Sequence, residues 1–242
     1  MPSGKGGSMK DGSPMTEYEN DKLIYFDIET EPREMSDILA IAGEFDPASV
    51  KTGNYGPEKS REKIDKARSE YADNLFERAP LDARLGKVLA IGYLDREYNA
   101  FFCPSLEEER ERLDGFWSLW RNARHSGHTF VGWNIHSFDL PFLIRRSWWQ
   151  GVLVPGELTR LTGNGFRSYP GTIDLCRVWT GDPREHCKLD DVARFFGLPG
   201  KRMKGADFWR QWRKGGIDRE EAEAYLRYDD VESLKVIAGR IL

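Results

Sequence analysis

KLIYFDIETE, residues 22–31, sets two carboxylates into what otherwise reads as a buried strand. Alternate residues of a strand share a face, so Asp27 and Glu29 stand side by side while Ile28 turns into the core. Like charges at that separation repel unless something positive lies between them. A solvated strand end is the ordinary explanation, and a divalent cation is the specific one.

The remaining composition narrows the classes of protein this can be. At 242 residues the chain has room for one sizeable α/β domain, or one domain with an insertion. A net charge of −4 argues against a histone-like, charge-driven nucleic-acid binder and leaves open a local basic face. No apolar run approaches membrane-spanning length, so no membrane partner is expected. Cys103, Cys176 and Cys187 form no paired framework, which fits a reducing cytoplasm. His125, His128, His136 and His186 lack the spacing of a structural zinc site. The opening residues, 1–20, rich in Gly, Ser, Lys and Asp, read as a disordered tail or a vector-derived scar and not as a signal peptide.

Residues 21–242 read as one domain. Within it, residues 46–80 form a charged insertion, helical in its middle and bracketed by Pro57 and Pro80, whose ordinary reading is a solvated helix. KVLAIGYLDREYNAFFCP predicts a hairpin turning at Asp95–Glu97. Residues 106–125 have helical spacing, with Leu106, Leu113, Phe116, Leu119 and Trp120 on the apolar face. Ser105 is placed to cap that helix, with Glu108 completing a capping box. TFVGWN reads as a short strand, followed by a helix starting near Ser137 and stopping at Gly151. KLDDVARFFGLPG predicts a helix closed by Gly197. A long terminal helix starts at Asp218, with Glu221 three residues on. The order implies a mixed β-sheet flanked by α-helices, an α/β fold.

Two further stretches bear on the opening carboxylates. In VGWNIHSFDLPFL, Asp139 lies in the first turn of a helix, where the dipole favours an anion. Its ordinary role would be to stabilise that helix start. In AYLRYDDVESLKVI, Asp229 and Asp230 sit mid-helix, where Asp has modest propensity. Leu226, Val231 and Leu234 define the apolar face, and either Asp borders it; an ordinary acidic patch is the alternative. A pair of magnesium ions needs oxygen ligands converging from several elements. In two-metal phosphoryl chemistry the ions sit ~3.5–4 Å apart and hold attacking and leaving oxygens.

FDIET, NIHSFDLPFL and YLRYDDVESL together resemble the three motifs of the DEDD 3′-to-5′ exonuclease superfamily, the DnaQ-like branch of the ribonuclease H-like fold. Tyr225 before the last Asp resembles the DEDDy subgroup, as in polymerase proofreading domains. KVLAIGY, GTIDLCRVW and KLDDVARFFGLPG are similar to the connecting segments. The likeness is to predicted exonucleases related to the family-B polymerase proofreading domain, standing without a polymerase, and spans residues 22–242. It implies a ribonuclease H-like fold and a metal-dependent exonuclease that uses two Mg2+ or Mn2+ ions. The products implied are nucleoside 5′-monophosphates from single-stranded or frayed ends, with DNA favoured over RNA. By the same resemblance Asp27, Glu29 and Asp139 are metal ligands, and Asn134 and Phe138 shape the substrate groove. Two registers stand for the third motif. Tyr225-x-x-x-Asp229 has the usual spacing, whereas Asp230 followed by Val231 and Leu234 matches how the helix continues after the ligand. The second is slightly preferred, with Tyr225 orienting the attacking water in either.

GKRMKGADFWRQWRKGG, residues 200–216, interleaves Lys201, Arg202, Lys204, Arg210, Arg213 and Lys214 with Phe208, Trp209 and Trp212, a pattern that suits a single strand. The alternative is an amphipathic helix with its Trp residues in the core. Arg145 and Arg146 are similar candidates. The expected partner is single-stranded nucleic acid with a free 3′ end, with polymerase or replication and repair proteins acting in trans. Two rival functions remain, a structure-specific endonuclease of the same fold and a binding module without catalysis.

Overall fold

The computed structural model describes residues 21–160 and 168–242, so the tail read at residues 1–20 lies outside the described part. Five strands are formed: β1 (Leu23–Pro32), β2 (Gly86–Leu94), β3 (Tyr98–Phe102), β4 (Thr129–Gly132) and β5 (Thr172–Asp174). They make one sheet in the order β3-β2-β1-β4-β5. The β1–β2 and β2–β3 pairs are antiparallel, and the β1–β4 and β4–β5 pairs are parallel. Central position explains the apolar run that opens β1, since a strand covered on both faces has no solvent side to keep polar.

Ile24, Phe26 and Ile28 project to one face and pack with Phe116, Trp120 and Leu143 of helices α3 (Leu106–His125) and α4 (Asp139–Gln150). α1 (Met35–Ala42) and α2 (Pro57–Arg78) lie before them in the chain. Trp120 stacks on Phe130 of β4 at 3.9 Å, anchoring α3 to the sheet. Leu23 and Tyr25 face the other way, toward Leu175 of α6 (Leu175–Thr180), Val192 of α7 (Leu189–Phe195) and residues of the terminal helix. A short α5 (Gly156–Thr159) lies between α4 and β5. The α3 cap is as expected, with Ser105 Oγ accepting from the Glu108 N–H at 3.1 Å. No helix among the described residues is long and apolar enough to cross a membrane.

α2, the long charged helix of residues 46–80, buries none of its own residues. Its C-terminal end nevertheless touches the rest of the protein. Phe76 meets Trp209 edge-on at 5.6 Å, and Pro80 O accepts from Thr30 Oγ1 at 2.7 Å.

Arg146, a substrate candidate by sequence, is instead fully buried. Its Nε and Nη2 donate to Glu109 Oε1 and Oε2 at 2.9 and 2.7 Å, and Glu109 also accepts from the Val88 N–H at 2.8 Å. This pair ties α3, α4 and β2 together.

The long terminal helix is also different from expectation. It runs as α9 (Arg219–Tyr225), a π-helical turn (Leu226–Val231) and α10 (Glu232–Ile241). The Asp218–Glu221 capping box is present at its start. The turn carries one residue more than α-geometry holds. Residues five apart, ~140° out of phase on a regular α-helix, therefore come onto one face. Preceding it, α8 (Gly205–Lys214) sets Phe208 and Trp209 into the core and stacks Trp212 on Phe102 at 5.3 Å. Phe208 and Trp212 are thereby taken up by packing, whereas Trp209 also borders a cleft.

Candidate active site

Asp27 and Glu29 lie on one face of β1 opposite Gly92 and Ala90 of β2, just before a register shift at Glu29/Thr30. Gly92 is small for a reason: a Cβ there would stand 3.3–3.6 Å from Tyr98, Val231 and Leu226. The π-helical turn can therefore sit close on the sheet, and it carries Asp230 to β1. Carboxylate oxygens of Asp27, Glu29 and Asp230, one from each, all lie within 4.8 Å of one another. Asp27 is half-buried, Glu29 nearly buried and Asp230 fully buried.

Asp139, the first residue of α4, adjoins this trio. Its Oδ1 accepts from the Ile28 N–H at 3.3 Å, which fixes the helix start to the strand between the other two carboxylates. Burial pushes the Asp139 carboxyl up to about 7. Burial also raises Asp27 and Glu29 well above the carboxylate range, and the Asp230 charge raises them further. Asp230 is raised by burial against the opposing charge of Lys201.

Lys201 extends its ammonium onto Asp230 Oδ1. Burial alone would lower its pKa, but the Asp230, Asp27 and Glu29 charges outweigh that and hold it protonated. Its loop is pinned by two aspartates. The Lys201 N–H donates to Asp190 Oδ1 at 2.7 Å, and the Arg202 N–H and Nε donate to Asp229 at 2.8 and 2.9 Å. Asp229 and Asp230 thus part company: one fastens the loop, and the other enters the cluster. Asp230 Oδ2 keeps no hydrogen-bond partner among the described residues.

Tyr225 stacks on Phe208 at 4.9 Å. Its buried hydroxyl makes no hydrogen bond of ordinary geometry among the described residues, and Glu29 is the acceptor it faces. Burial, then the Asp230 charge, raises the phenol far above its usual value, so it stays neutral. The π-helical turn brings Tyr225 and Asp230, five residues apart, to the same side.

Asn134 adopts a left-handed φ of 58° just after β4. Asp174, a residue sequence reading passed over, holds that bend. Its carboxylate accepts from the Asn134, His136 and Cys176 N–H groups at 2.9, 3.0 and 3.1 Å. An Asp immediately before a helix was the available sign, since such residues cap.

Phe138 lines a cleft of about 210 Å³ with Glu29, Leu81, Gly205 and Trp209. Lys201 and Lys204 line a larger groove of about 820 Å³ with Lys188, Arg194 and Arg202. Arg145 is exposed on α4 and lines neither. Arg210 and Arg213 are engaged with Glu77 and Glu31.

A family model described as a predicted 3′-5′ exonuclease related to the exonuclease domain of PolB matches residues 80–236. The FDIET strand lies outside that span, and the fold carries it to the matched part. Among solved structures, the family B DNA polymerase from the hyperthermophilic archaeon Pyrobaculum calidifontis is similar, with a TM-score of 0.50 and 18% identity. That likeness covers 90% of this chain and 24% of the polymerase chain, and it marks the ribonuclease H-like fold. No curated protein matches.

Proposed function

The chain belongs to the predicted 3′-5′ exonucleases related to the exonuclease domain of PolB, and from that premise we propose that it removes nucleotides from the 3′ end of single-stranded or frayed nucleic acid by metal-dependent hydrolysis. The observation that carries this reading is the convergence of Asp27, Glu29 and Asp230 within 4.8 Å, beside buried Asp139 and neutral Tyr225. DNA is proposed over RNA on the family's relation to a polymerase domain, with replication or repair proteins acting in trans.

The residues fit a divalent cation. All the donors are hard carboxylate oxygens, and Asp230 Oδ2 is buried and unpartnered among the described residues, a costly arrangement for a carboxylate with no cation on that side. Asp27, Glu29, Asp139 and Asp230 would hold two Mg2+ or Mn2+ ions, with Asp229 left to the Arg202 loop. When bound, the metal supplies Lewis-acid neutralisation of the phosphate and a more acidic water.

The chain's own groups do the rest. Phe138, Leu81 and Trp209 wall the cleft beside Glu29, where the terminal nucleoside is placed. Gly205 of α8 lines the same cleft, where a Cβ would make only ordinary contact with Glu29 at 3.6 Å. Tyr225 keeps its proton and orients the attacking water by hydrogen bonding. Water adds in line to the phosphorus as the bond to the preceding 3′ oxygen breaks, leaving a nucleoside 5′-monophosphate and a strand with a new 3′-hydroxyl.

The test uses 5′-labelled single strands and a closed circle, with Mg2+, Mn2+ or chelator, beside Asp27→Asn. A one-nucleotide ladder that needs metal and a free end, and is lost in Asp27→Asn, is expected. Cutting of the circle would establish an endonuclease instead, and an active Asp27→Asn would remove the proposed site.

A further inference from the structure

Away from the carboxylates, α6 and α7 expose an aromatic cluster that the reading above does not use. Phe195 is 71% exposed and Trp179 37%. Trp179 meets Phe195 and Phe196 edge-on at 5.4 and 5.7 Å, and Phe195 meets Phe196 at 5.3 Å. Large rings left this open cost solvation and mark a surface that something covers.

The helix that carries Phe195, α7, also borders the basic groove. Arg194, which precedes Phe195 in the chain, lines that groove together with Lys188, Lys201, Arg202 and Lys204, against only Asp190 and Asp207 of opposite charge. Lys188 and Lys204 make no ion pair among the described residues, whereas Lys201 and Arg202 are held by Asp230 and Asp229. Asp190 joins both ends physically, pairing with Arg194 at 2.8 Å and accepting from the Lys201 N–H at 2.7 Å. A protein of net charge −4 thus concentrates cations along one groove that meets the carboxylates through Lys201 and reaches α7, the helix that carries Phe195.

We propose that Phe195 and Trp179 form a distal stacking platform for unpaired bases upstream of the cleaved end, with Lys188, Arg194 and Lys204 holding the intervening phosphates. The ligand is single-stranded nucleic acid, whose phosphates and base faces match the groove and the rings. The proposal rests on the exonuclease reading and extends it: affinity comes from several nucleotides, not from the terminal one alone. A protein partner would use the rings but has no need of the continuous cationic groove.

Labelled oligothymidylates of about 3 and about 20 nucleotides test it, a range that brackets the site sizes of single-strand binders. In the wild type, KM is expected to fall with length. Phe195→Ser with Trp179→Ala should raise KM for the long substrate about tenfold, leaving kcat and the short substrate unchanged. Phe195→Ser alone removes only the most exposed ring and should show a smaller rise in the same direction, which guards against loosening of the Trp179 packing. Equal KM values for both substrates in wild type and variants would overturn the platform and assign the rings to a protein surface. If the wild type cuts neither substrate, the exonuclease reading fails. Fluorescence anisotropy of the long strand in chelator then decides the platform by itself: weaker binding by Phe195→Ser upholds it, and equal binding overturns it.

Discussion

Asp229 and Asp230 are adjacent and chemically identical, and the structure gives them different work. Asp230→Asn removes a buried oxygen donor from the cluster and is expected to lower cleavage by ~1,000-fold, a loss of several kcal/mol of charge stabilisation. Asp229→Asn frees the Arg202 loop and should cost about 1 kcal/mol of stability while retaining cleavage. A reversal of these two outcomes would move the ligand to Asp229. Asp139 gives a pH signature. Its folded carboxyl, pushed up to about 7 by burial, keeps a proton that the unfolded chain has released above about pH 4. Stability of the metal-free protein should therefore fall as pH rises through that window. His136, lowered to about 4 by burial, pulls the other way as pH falls below about 6.5. The four raised carboxylates outnumber it, so melting in chelator should come several degrees higher near about pH 5.5 than near about pH 7.5. Asp139→Asn should flatten that slope, and an unchanged slope would assign it to other groups.

At the scale of the element, the π-helical turn decides which side chains meet. Deleting Tyr228, which is 49% exposed, would leave Tyr225 and Asp230 four residues apart on a regular α-helix and still on one side. The shortened protein is expected to fold and to cut within about tenfold of the wild type. Deleting Ser233 instead rotates Leu234 and Ile237 out of the core, and that protein should fail to fold cooperatively. Circular dichroism melts alongside the ladder assay separate the two cases. This turn also shows where sequence reading reaches its limit. β1, the hairpin and the helix caps were legible because alternation, turn residues and capping pairs are local. The choice between Asp229 and Asp230 was not, since it rests on a 3.6-residue period that the turn breaks. Trp209 posed a similar ambiguity: an aromatic among arginines looks the same whether it stacks on a base or, as here, packs edge-on against Phe76.

Across the whole molecule, the least legible feature is the Glu109–Arg146 pair. Each residue reads as an ordinary surface charge on its own helix, and only the packing of α3 against α4 buries both completely. Arg146→Met strands Glu109 and should cost about 3–5 kcal/mol, roughly a 10 °C fall in melting temperature. Because the pair lies outside the carboxylate cluster, the surviving folded fraction should keep its metal dependence, which a ladder assay at low temperature would show. The strand order has a further consequence. The central strand carrying Asp27 and Glu29 is the first element among the described residues, whereas Asp230 rides on the turn before α10, far along the sequence. A chain made only as far as α9 holds three of the four carboxylates and cannot close the cluster. Folding must close roughly 200 residues of chain before that turn can dock on β1. A protein proposed to degrade nucleic acid is thereby inert while that closure is open, because a partly folded chain carries an incomplete cluster.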